Sequence, residues 1–402
     1  MPSLSKSTSN QNQCGKSKPK QQQASKPSIS SLAKNPIVVV KVGTATLSAK
    51  DNTLDLEYLD TLVGQIAGLR QKGYQVVLVT SGAIGTGIAE LKLTKKPQDV
   101  TMRQALAAIG QSILMRYYYD AFKRYGITIS QLLLTYDDFS NRKRFLYLKQ
   151  CLECLLKLGV VPIINENDPI SIDEIGPSFG DNDRLSALVA SKLDAGLLIL
   201  LTDIDAVYDK NPKEYPDAKP IPIITAITPE LEQGAAGKGS AFATGGMASK
   251  IKAANVCMDA GIPMVICHGR TPGILDKVVF GSGVGTLFLP SSKIDLNRRW
   301  IKEAKPKGKI TIDDGAYQAL RNGKNLLPAG ILSVNGSFGK DDVVELCVNH
   351  TCFAKARIKV SAVALKELLL EKNNAKSIKS TSLGSAKRQQ NVIDRENLVF
   401  LL

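Results

Sequence analysis

Short apolar runs alternate with helix-like segments over residues 35–295, and this alternation restricts the fold more than any other feature of the chain. Runs such as PIVVVKV at 36–42 and GLLILL at 196–201 have the length and composition of buried parallel strands. Residues 55–72 and 100–125 instead repeat large apolar side chains at helical spacing. The apolar face predicted for the second of these helices contains Met102, Leu106, Ile109, Ile113, Tyr117 and Phe122. The pattern predicts one α/β domain, a three-layer α/β/α sandwich on a mainly parallel sheet.

A change in composition near residue 296 predicts a second, smaller domain. Residues 296–308 are basic and read as a linker, and residues 309–402 contain short strand-like segments separated by turn glycines. These segments predict a small β-barrel-like domain, closed by a last strand in NLVFLL at 397–402. Residues 366–392 are rich in Lys, Ser and Asn and lack periodicity, so we expect a disordered insertion there.

The positive charge of the chain is concentrated outside the predicted catalytic body. The 402 residues have a formal net charge of +15, and residues 1–34 contribute six lysines and no acidic residue. This segment has few large aliphatic side chains, which predicts a disordered basic tail. Since the remaining body is only mildly basic, the composition does not require a nucleic-acid partner.

Cysteine and histidine usage argues against a metal protein. The seven cysteines form no disulfide framework, which is typical of a reducing compartment. Cys151 and Cys154 form a CxxC pair, but they lie in a helical run without a second pair, which disfavours a zinc or redox site. The sequence has only two histidines. No apolar run reaches the roughly 18 residues of a membrane span, and the N-terminal segment lacks the apolar core of a signal peptide, so we expect a cytoplasmic protein.

The glycine-rich stretch GKGSAFATGGMASK at 237–250 predicts an anion-binding loop. Its glycines let backbone N–H groups approach an anion, and the helix that follows adds a favourable dipole. Lys250, in the first turn of that helix, gains little from the dipole, so a lysine in that place makes most sense if a phosphate occupies the site. The Walker A spacing is absent from this stretch. The alternative is a flexible surface loop with solvated lysines.

Polar residues follow several predicted strands, at the sheet edge where ligands of open α/β sheets bind. Lys41 ends the first strand, Ser81 opens the turn SGAIGTG, and Asp168 and Asp203 follow later strands. The turn offers free N–H groups to a carboxylate or phosphate, but no acidic residue follows at the spacing of a dinucleotide site. In GDND, Asp181 or Asp183 is expected to cap the next helix. The alternatives are that Lys41 extends to solvent from an edge strand and that residues 169–183 form a solvated acidic loop.

Together these motifs resemble those of the glutamate 5-kinase family, a branch of the amino-acid kinase superfamily. VVVKVGTATL, VLVTSGAIGTG, PIINEND, GDND, LLTD and TGGMASK occur in this order and spacing. ITIDDGAYQAL and NLLPAGI are similar to the PUA domain attached to many bacterial members. The resemblance covers about residues 36–360 and the last strand. It departs from the family pattern at Ala248, before the serine of TGGMASK, and in the irregular spacer before the last strand.

The resemblance implies transfer of the ATP γ-phosphoryl group to the side-chain carboxylate of L-glutamate, the first step of proline biosynthesis, with proline as feedback inhibitor. Glutamate would be bound by Ser81, Asp168 and Asn182. ATP would be bound by Lys41, Thr202, Asp203, Thr244, Gly245, Gly246, Met247, Ala248, Ser249 and Lys250. Lys41 and Lys250 would act on the phosphoryl group from opposite sides, with Asp183 holding them in register. Mg²⁺ would arrive with ATP, without a dedicated protein ligand. A homo-oligomer is also implied.

Two other functions are compatible with parts of this pattern. Another kinase of the superfamily, acting on acetylglutamate, uridylate or isopentenyl phosphate, would share the fold, but the PUA-like segment and SGAIGTG argue against each. An RNA-binding protein would use the PUA-like domain and the basic tails. Such a role requires exposed aromatic side chains on that domain, where Tyr317, Phe338 and Phe353 are the candidates.

Overall fold

The computed structural model describes residues 35–49, 53–95, 97–170, 182–212, 214–236, 246–281, 283–377 and 391–401. The predicted basic tail 1–34 lies outside the described residues, as do most of the acidic loop and of the glycine-rich stretch. No helix among the described residues is both long and apolar enough to span a membrane.

The first domain alternates strands and helices as predicted. Its strands are β1 Ile37–Val42, β2 Gln75–Val79, β3 Ile129–Leu134, β4 Val161–Glu166, β5 Leu197–Thr202, β6 Ile223–Ile224, β7 Met264–His268 and β8 Thr286–Phe288. Its helices are α1 Thr44–Leu47, α2 Leu56–Gln71, α3 Ala83–Glu90, α4 Val100–Lys123, α5 Tyr136–Ser140, α6 Arg142–Lys157, α7 Asn182–Leu193, α8 Pro229–Ala236, α9 Gly246–Asp259 and α10 Ile274–Val279.

These strands form one eight-stranded sheet in the order β3-β4-β2-β1-β5-β7-β8-β6. Neighbouring strands are parallel except β7 and β8, which confirms the mainly parallel sheet. β1 lies in the interior of the sheet, between β2 and β5, and all six of its residues are buried. The carboxyl ends of β1, β2, β4 and β5 therefore meet at one edge, where the candidate residues were expected.

Two apolar clusters cover the two faces of the sheet and confirm the three layers. One face packs against α6, α7 and α9, with Val39 of β1 in its cluster. The other face packs against α2, α4 and α10, with Val38 and Val40 of β1 in its cluster. Because side chains alternate along a strand, Lys41 shares the face of Val39, towards α7 and α9.

The face predicted for α4 is only partly correct. Leu106 and Phe122 are buried, but Met102 and Tyr117 are 46% and 36% exposed. The side of α4 that meets α3 is instead marked by Gly110. A Cβ atom at Gly110 would lie 1.9 Å from the backbone oxygen of Ala83, so only glycine permits this close approach of the two helices. The segment that follows β3 forms two helices rather than one, because Asn141 ends α5 and caps α6 through its side chain.

The second domain is a five-stranded sheet with two helices, in the strand order β10-β9-β11-β12-β13. Its elements are β9 Gly308–Ile312, α12 Asp314–Arg321, β10 Ile331–Gly336, β11 Val343–Val348, β12 Thr351–Arg357, α13 Ala362–Ser377 and β13 Leu398–Phe400. The predicted last strand is confirmed, since β13 pairs with β12. Two expectations are wrong. Residues 314–321 form a helix where strand was predicted, and α13 continues through 366–377 of the predicted disordered insertion, whose residues 378–390 are not described.

The predicted linker contains a helix, α11 Leu296–Glu303, which packs between the two domains. Trp300 is 3% exposed and shares an apolar cluster with Phe145 of α6 and Val343 of β11. Its indole N–H donates to the backbone oxygen of Phe139 at 3.0 Å. The segment between the domains is thus an ordered part of the core rather than a spacer.

The expectation of unlinked cysteines is wrong for one pair. Cys347 and Cys352 form a disulfide between β11 and β12. Among the described residues Cys151, Cys154, Cys257 and Cys267 are free, and the CxxC pair lies on α6 as predicted.

Candidate active site

A buried carboxylate held between two lysines forms the centre of the candidate site. Lys41 Nζ lies 2.6 Å from Asp183 Oδ1, and Lys250 Nζ lies 3.1 Å from Asp183 Oδ2. All three residues are buried. Ser249 Oγ also donates to Asp183 Oδ2, at 3.0 Å. Both lysines predicted to be catalytic therefore contact the predicted Asp183, although the three residues are distributed over more than 200 positions of the chain.

Three elements bring these side chains together at one edge of the sheet. β1 contributes Lys41 one residue before its end, and α9 contributes Ser249 and Lys250 from its first turn. α7 contributes Asp183 as its second residue, so Asp183 lies inside the helix and does not cap it as expected. The other predicted cap, Asp181, lies outside the described residues. The helix dipole stabilises a carboxylate at a helix N-terminus, and here the Asp183 carboxylate also pairs with the two lysines.

The two lysines determine the charge state of the site. Burial alone would raise the pKa of the Asp183 carboxyl, but the ammonium groups of Lys41 and Lys250 outweigh burial and lower that pKa to about 2. The carboxylate is therefore ionised at neutral pH and lies between two lysine side chains in a buried position. Two ammonium groups at one site can stabilise an anionic ligand such as a phosphoryl group.

Glycines line the site beside both ammonium groups. A Cβ atom at Gly43 would lie 3.4 Å from Lys41 Nζ, and one at Gly246 would lie 3.4 Å from Lys250 Nζ. A side chain at either position would occupy the space next to an ammonium group. Both glycines thus keep the approach to the lysines open for a ligand.

A second polar group surrounds Asn182, next to the lysine pair. Asn182 Nδ2 lies 2.6 Å from the backbone oxygen of Thr80, 3.0 Å from Ser81 Oγ and 2.8 Å from Asn165 Oδ1. Asn165 Nδ2 in turn donates to Gln111 Oε1 at 2.8 Å. Two predicted substrate ligands, Ser81 and Asn182, are therefore hydrogen-bonded to each other.

Asn165 and Gln111 belong to this group although they were not predicted as site residues. Asn165 is in the strand-end run PIINEND, so its position was a usable signal. Gln111 occurs within the apolar pattern of α4, and its 7% exposure distinguishes it from the solvated polar residues of that helix. A polar residue at a core-facing helical position is the signal that could have found it.

The structure places most of the remaining predicted residues near the same edge of the sheet, at different depths. Asp168 is half-buried in the turn that follows β4. Thr202 is buried at the end of β5, and its hydroxyl donates to the exposed Asp203 at 2.9 Å. Met247 and Ala248 lie in the first turn of α9, and Met247 packs into the apolar core. Thr244 and Gly245 lie outside the described residues.

The interdomain helix α11 supports both helices that carry the lysine–aspartate cluster. Near its middle, Arg299 donates to the backbone oxygen of Ser191 at the end of α7 and to the Asp194 carboxylate. At its C-terminus, Glu303 pairs at 3.0 Å with Arg184, the residue after Asp183. α11 thus contacts α7 at both ends. The adjacent Lys302 forms an ion pair with Asp259, the last residue of α9. This helix was not predicted, because its sequence reads as a basic linker.

Lys355 of the second domain contacts the C-terminal end of α11. Lys355 Nζ of β12 donates to the backbone oxygens of Lys302 and Ala304, at 2.8 and 3.0 Å. A cation at a helix C-terminus satisfies carbonyl groups that have no partner within the helix. The second domain therefore stabilises the end of the helix that holds α7 and α9.

Comparison with known proteins identifies the class to which this fold and site belong. The model of the amino acid kinase family matches residues 36–268, and that of the PUA domain matches residues 308–380. The chain therefore belongs to the amino acid kinase family and carries a PUA domain. Among solved structures, the T. acidophilum isopentenyl phosphate kinase product complex has 19% identity and a TM-score of 0.46, and the alignment covers 63% of this chain and 99% of that structure.

Closer relatives define the branch of the family. Glutamate 5-kinase of Methanococcoides burtonii is 41% identical over 362 residues, which cover 90% of this chain and 96% of the relative. Glutamate 5-kinase of Caldanaerobacter subterraneus is 43% identical over 369 residues, with coverage of 90% and 97%. The chain is an enzyme of this kinase family.

Proposed function

We propose that the enzyme transfers the γ-phosphoryl group of ATP to the side-chain carboxylate of L-glutamate and forms L-glutamyl 5-phosphate, the first step of proline biosynthesis. The observation that carries this proposal is the ionised Asp183 carboxylate held between Lys41 and Lys250, at 2.6 and 3.1 Å. Glutamate as the acceptor is supported by the relatives at 41% and 43% identity.

The reaction requires positioning and charge stabilisation rather than proton transfer. A glutamate side-chain oxygen attacks the γ-phosphorus, an O–P bond forms, and the bond to the bridging oxygen of ADP breaks, with its electron pair leaving on ADP. The attacking carboxylate, with a pKa of about 4.3, is already ionised at neutral pH. No general base is needed, and the site residues act on the charge of the moving phosphoryl group.

In this proposal the two lysines stabilise the transferring group from different sides. Lys41 and Lys250 contact different oxygens of the Asp183 carboxylate, so both ammonium groups lie beside it at separate positions. Asp183 acts as a positioning residue that keeps both ammonium groups charged and oriented. Loss of one such charged donor costs on the order of 3 kcal/mol, roughly 100-fold or more in rate.

The polar group around Asn182 is the proposed glutamate site. Its amide nitrogen is used by Thr80, Ser81 and Asn165, whereas no described residue donates to Asn182 Oδ1, which is buried. An ammonium group of a ligand would provide that donor. Asp168, at the same edge, would add the opposite charge for the amino group of glutamate.

Mg²⁺ is proposed to enter as part of the nucleotide. Both oxygens of Asp183 already contact ammonium groups. The acidic residues described around the site form no group of three potential metal ligands. This donor set does not fit a metal site built by the protein alone, but it fits a metal carried by phosphate oxygens, with Asp203 near the end of β5 as an exposed carboxylate. The ion would neutralise phosphate charge.

Proline inhibition, a homo-oligomeric state and a cytoplasmic location complete the proposal. Proline shares the amino and carboxylate groups of glutamate, which supports competition at the Asn182 group rather than at a distant pocket. The exposed apolar side chains of α4, among them Met102 and Tyr117, are compatible with a subunit contact.

One coupled assay tests the proposed reaction. Enzyme, ATP, Mg²⁺ and L-glutamate are incubated with hydroxylamine, which traps the acyl phosphate as a hydroxamate, and ADP is measured in parallel. We expect equal amounts of hydroxamate and ADP. N-acetylglutamate, UMP and isopentenyl phosphate serve as competing acceptors. If ADP is released faster with one of these three acceptors than with glutamate, that acceptor is the substrate and the assignment of glutamate is wrong.

RNA binding by the PUA domain is a second candidate function, supported by one surface. Phe338 is buried in the core of the domain, but Tyr317, Phe353 and Phe400 form a row with centroid distances of 4.7 and 6.1 Å. Phe400 is 37% exposed, and Arg321 lies over its ring. Bases stack on such rings. Filter binding of single-stranded RNA across a salt series tests it, and weak binding without a salt dependence would remove this function.

A further inference from the structure

Two cysteines and a carboxylate come together in the second domain, outside the lysine–aspartate cluster. Cys347 of β11 and Cys352 of β12 are direct cross-strand partners and form a disulfide. One donor atom from each of Glu345, Cys347 and Cys352 lies within 4.8 Å of the others. Among the described residues, no other group of three His, Cys, Asp or Glu side chains does so.

The backbone of the hairpin determines this arrangement. Asn349 and His350 have φ values of 47° and 68°, and both form the two-residue turn that joins β11 to β12. Positive φ at both positions is typical of the tightest hairpin turns. The turn pairs Val348 with Thr351 and therefore sets Cys347 against Cys352. The two sulfur atoms are thus placed together by the fold whether or not they are bonded.

Glu345 completes the group from the same strand as Cys347. Residues two apart on a strand project from the same face, so the carboxylate lies beside the sulfur atoms. Glu345 is only partly buried, and its carboxylate pairs with Lys309 of β9 at 3.3 Å. Lys309 is exposed and can be displaced at little cost, because exposed ion pairs contribute about 0–1 kcal/mol.

We propose that Glu345, Cys347 and Cys352 form a binding site for a thiophilic divalent cation, Zn²⁺ in the first place, which opens when the disulfide is reduced. Two thiolates and one carboxylate are ligands that Zn²⁺ accepts, with a fourth position left to water. Cys352 is half-buried, so solvent reaches the site. The disulfide form excludes the ion, since the sulfur atoms are then bonded to each other.

The exchange between the two forms balances with a small thiol as reductant. Two thiols RSH reduce the Cys347–Cys352 disulfide, which gives the dithiol and one RSSR molecule. The ion then replaces the two thiol protons, which are released to solvent. The reverse reaction, with a small disulfide as oxidant, releases the ion.

The remaining described cysteines provide a matched control. Cys257 and Cys267 are fully buried, and desolvation raises the pKa of both thiols. Cys151 and Cys154 are exposed on α6, with no third ligand beside them. A double variant, Cys151→Ser with Cys154→Ser, therefore removes two accessible thiols without touching the proposed site.

Co²⁺ is the probe for the test, because thiolate ligands give it a charge-transfer absorption band. The full chain is reduced with a phosphine, desalted and titrated with Co²⁺, and Zn²⁺ is then added to displace it. We expect one equivalent bound with a thiolate band in the parent and in the Cys151→Ser/Cys154→Ser control, and none after oxidation by a small disulfide. The band should be lost in Cys347→Ser and in Cys352→Ser.

Two substitutions test the third ligand in opposite directions. Glu345→Gln should weaken Co²⁺ binding, and Lys309→Met, which removes the competing ammonium group, should strengthen it. A reduced parent protein without a thiolate band would overturn the proposal. So would a band that survives Cys352→Ser or disappears in the Cys151→Ser/Cys154→Ser control. The signal of Trp300, the single tryptophan, reports whether each variant is folded.

Discussion

Lys192, near the end of α7, is fully buried, and its burial leads to a quantitative prediction for the pH dependence of stability. It is 0% exposed, and its Nζ donates to the backbone oxygen of Phe145 at 2.6 Å. The ring of Phe145 lies 3.3 Å from Nζ and that of Phe139 lies 5.0 Å away. Burial lowers the pKa of this amine to about 6, more than the attraction of Asp138 raises it. Lys192 is therefore neutral at pH 7 in the folded state.

The stability cost follows from the two pKa values. In the unfolded chain the amine has its ordinary pKa of 10.5, so between pH 6 and pH 10.5 only the unfolded state carries this proton. The free energy of unfolding must then rise with pH in this window, by about 1.4 kcal/mol per unit. At pH 7 the cost of the neutral amine is roughly 4 to 5 kcal/mol. The hydrogen bond to Phe145 offsets about 1 kcal/mol of this cost.

Replacing the amine by an apolar group of similar length should remove this cost. Lys192→Met is expected to raise the free energy of unfolding by about 3 kcal/mol at pH 7, and this gain should shrink to nothing near pH 10. The assay is urea unfolding of both proteins at several pH values, followed by Trp300 fluorescence. Trp300 is a local probe, since its indole donates to the backbone oxygen of Phe139 beside Lys192.

The difference between two variants isolates this single group, because all other titrations cancel. Lys252→Met, at an exposed position of α9, is the control and should show a small difference that is constant with pH. If the difference between Lys192→Met and the parent also stays constant from pH 7 to pH 10, Lys192 is charged in the folded state, and the pKa argument is wrong.

Three further predictions concern the site and the packing of its support. Asp183→Asn should lower turnover about 100-fold or more, because the two ammonium groups lose their shared counter-charge; unchanged hydroxamate formation would contradict this role. Gly110→Ala should lower the free energy of unfolding by about 1–3 kcal/mol or more, as measured by urea unfolding. In Gly68→Ala the added Cβ has no neighbouring atom within 4 Å, so this substitution in α2 should raise the free energy of unfolding by about 0.5–1 kcal/mol in the same assay. Asp168→Asn should weaken glutamate binding roughly 10- to 150-fold and weaken proline inhibition with it; proline inhibition that glutamate cannot relieve, and that survives the substitution, would place proline elsewhere.

The sequence predicted those parts of the fold that depend on local pattern. The β-branched run that contains Lys41 identified a buried strand, and the parallel topology then placed the ends of several strands together. The direct contact of Lys41 and Lys250 with Asp183 was expected only from the family resemblance. No local sequence pattern predicts this contact, because the three residues lie on three elements that come together only in the folded domain.

The missed features depend on partners that are distant along the chain. Gly110 packs against the backbone of Ala83, 27 positions away, and no residue near Gly110 in sequence indicates that contact. α11 was read as a linker because its arginines and lysines suggest solvent exposure. Arg299 is instead 4% exposed, since Ser191 and Asp194 accept its hydrogen bonds. Basic side chains are thus exposed only where the fold provides no buried acceptor to pair with them.

α7 shows why burial of charge has to be decided from the structure. The helix carries Asp183 at one end and Lys192 at the other, both 0% exposed. Asp183 stays charged because two ammonium groups compensate its burial, and it is placed where a phosphate can join them. Lys192 has aromatic rings and a carbonyl oxygen around it, and burial removes its proton instead. The sequence NDRLSALVASKL contains both residues and gives no sign of this difference. One end of this helix therefore keeps a buried charge that two lysines compensate, and the other end has a lysine whose charge is lost on folding.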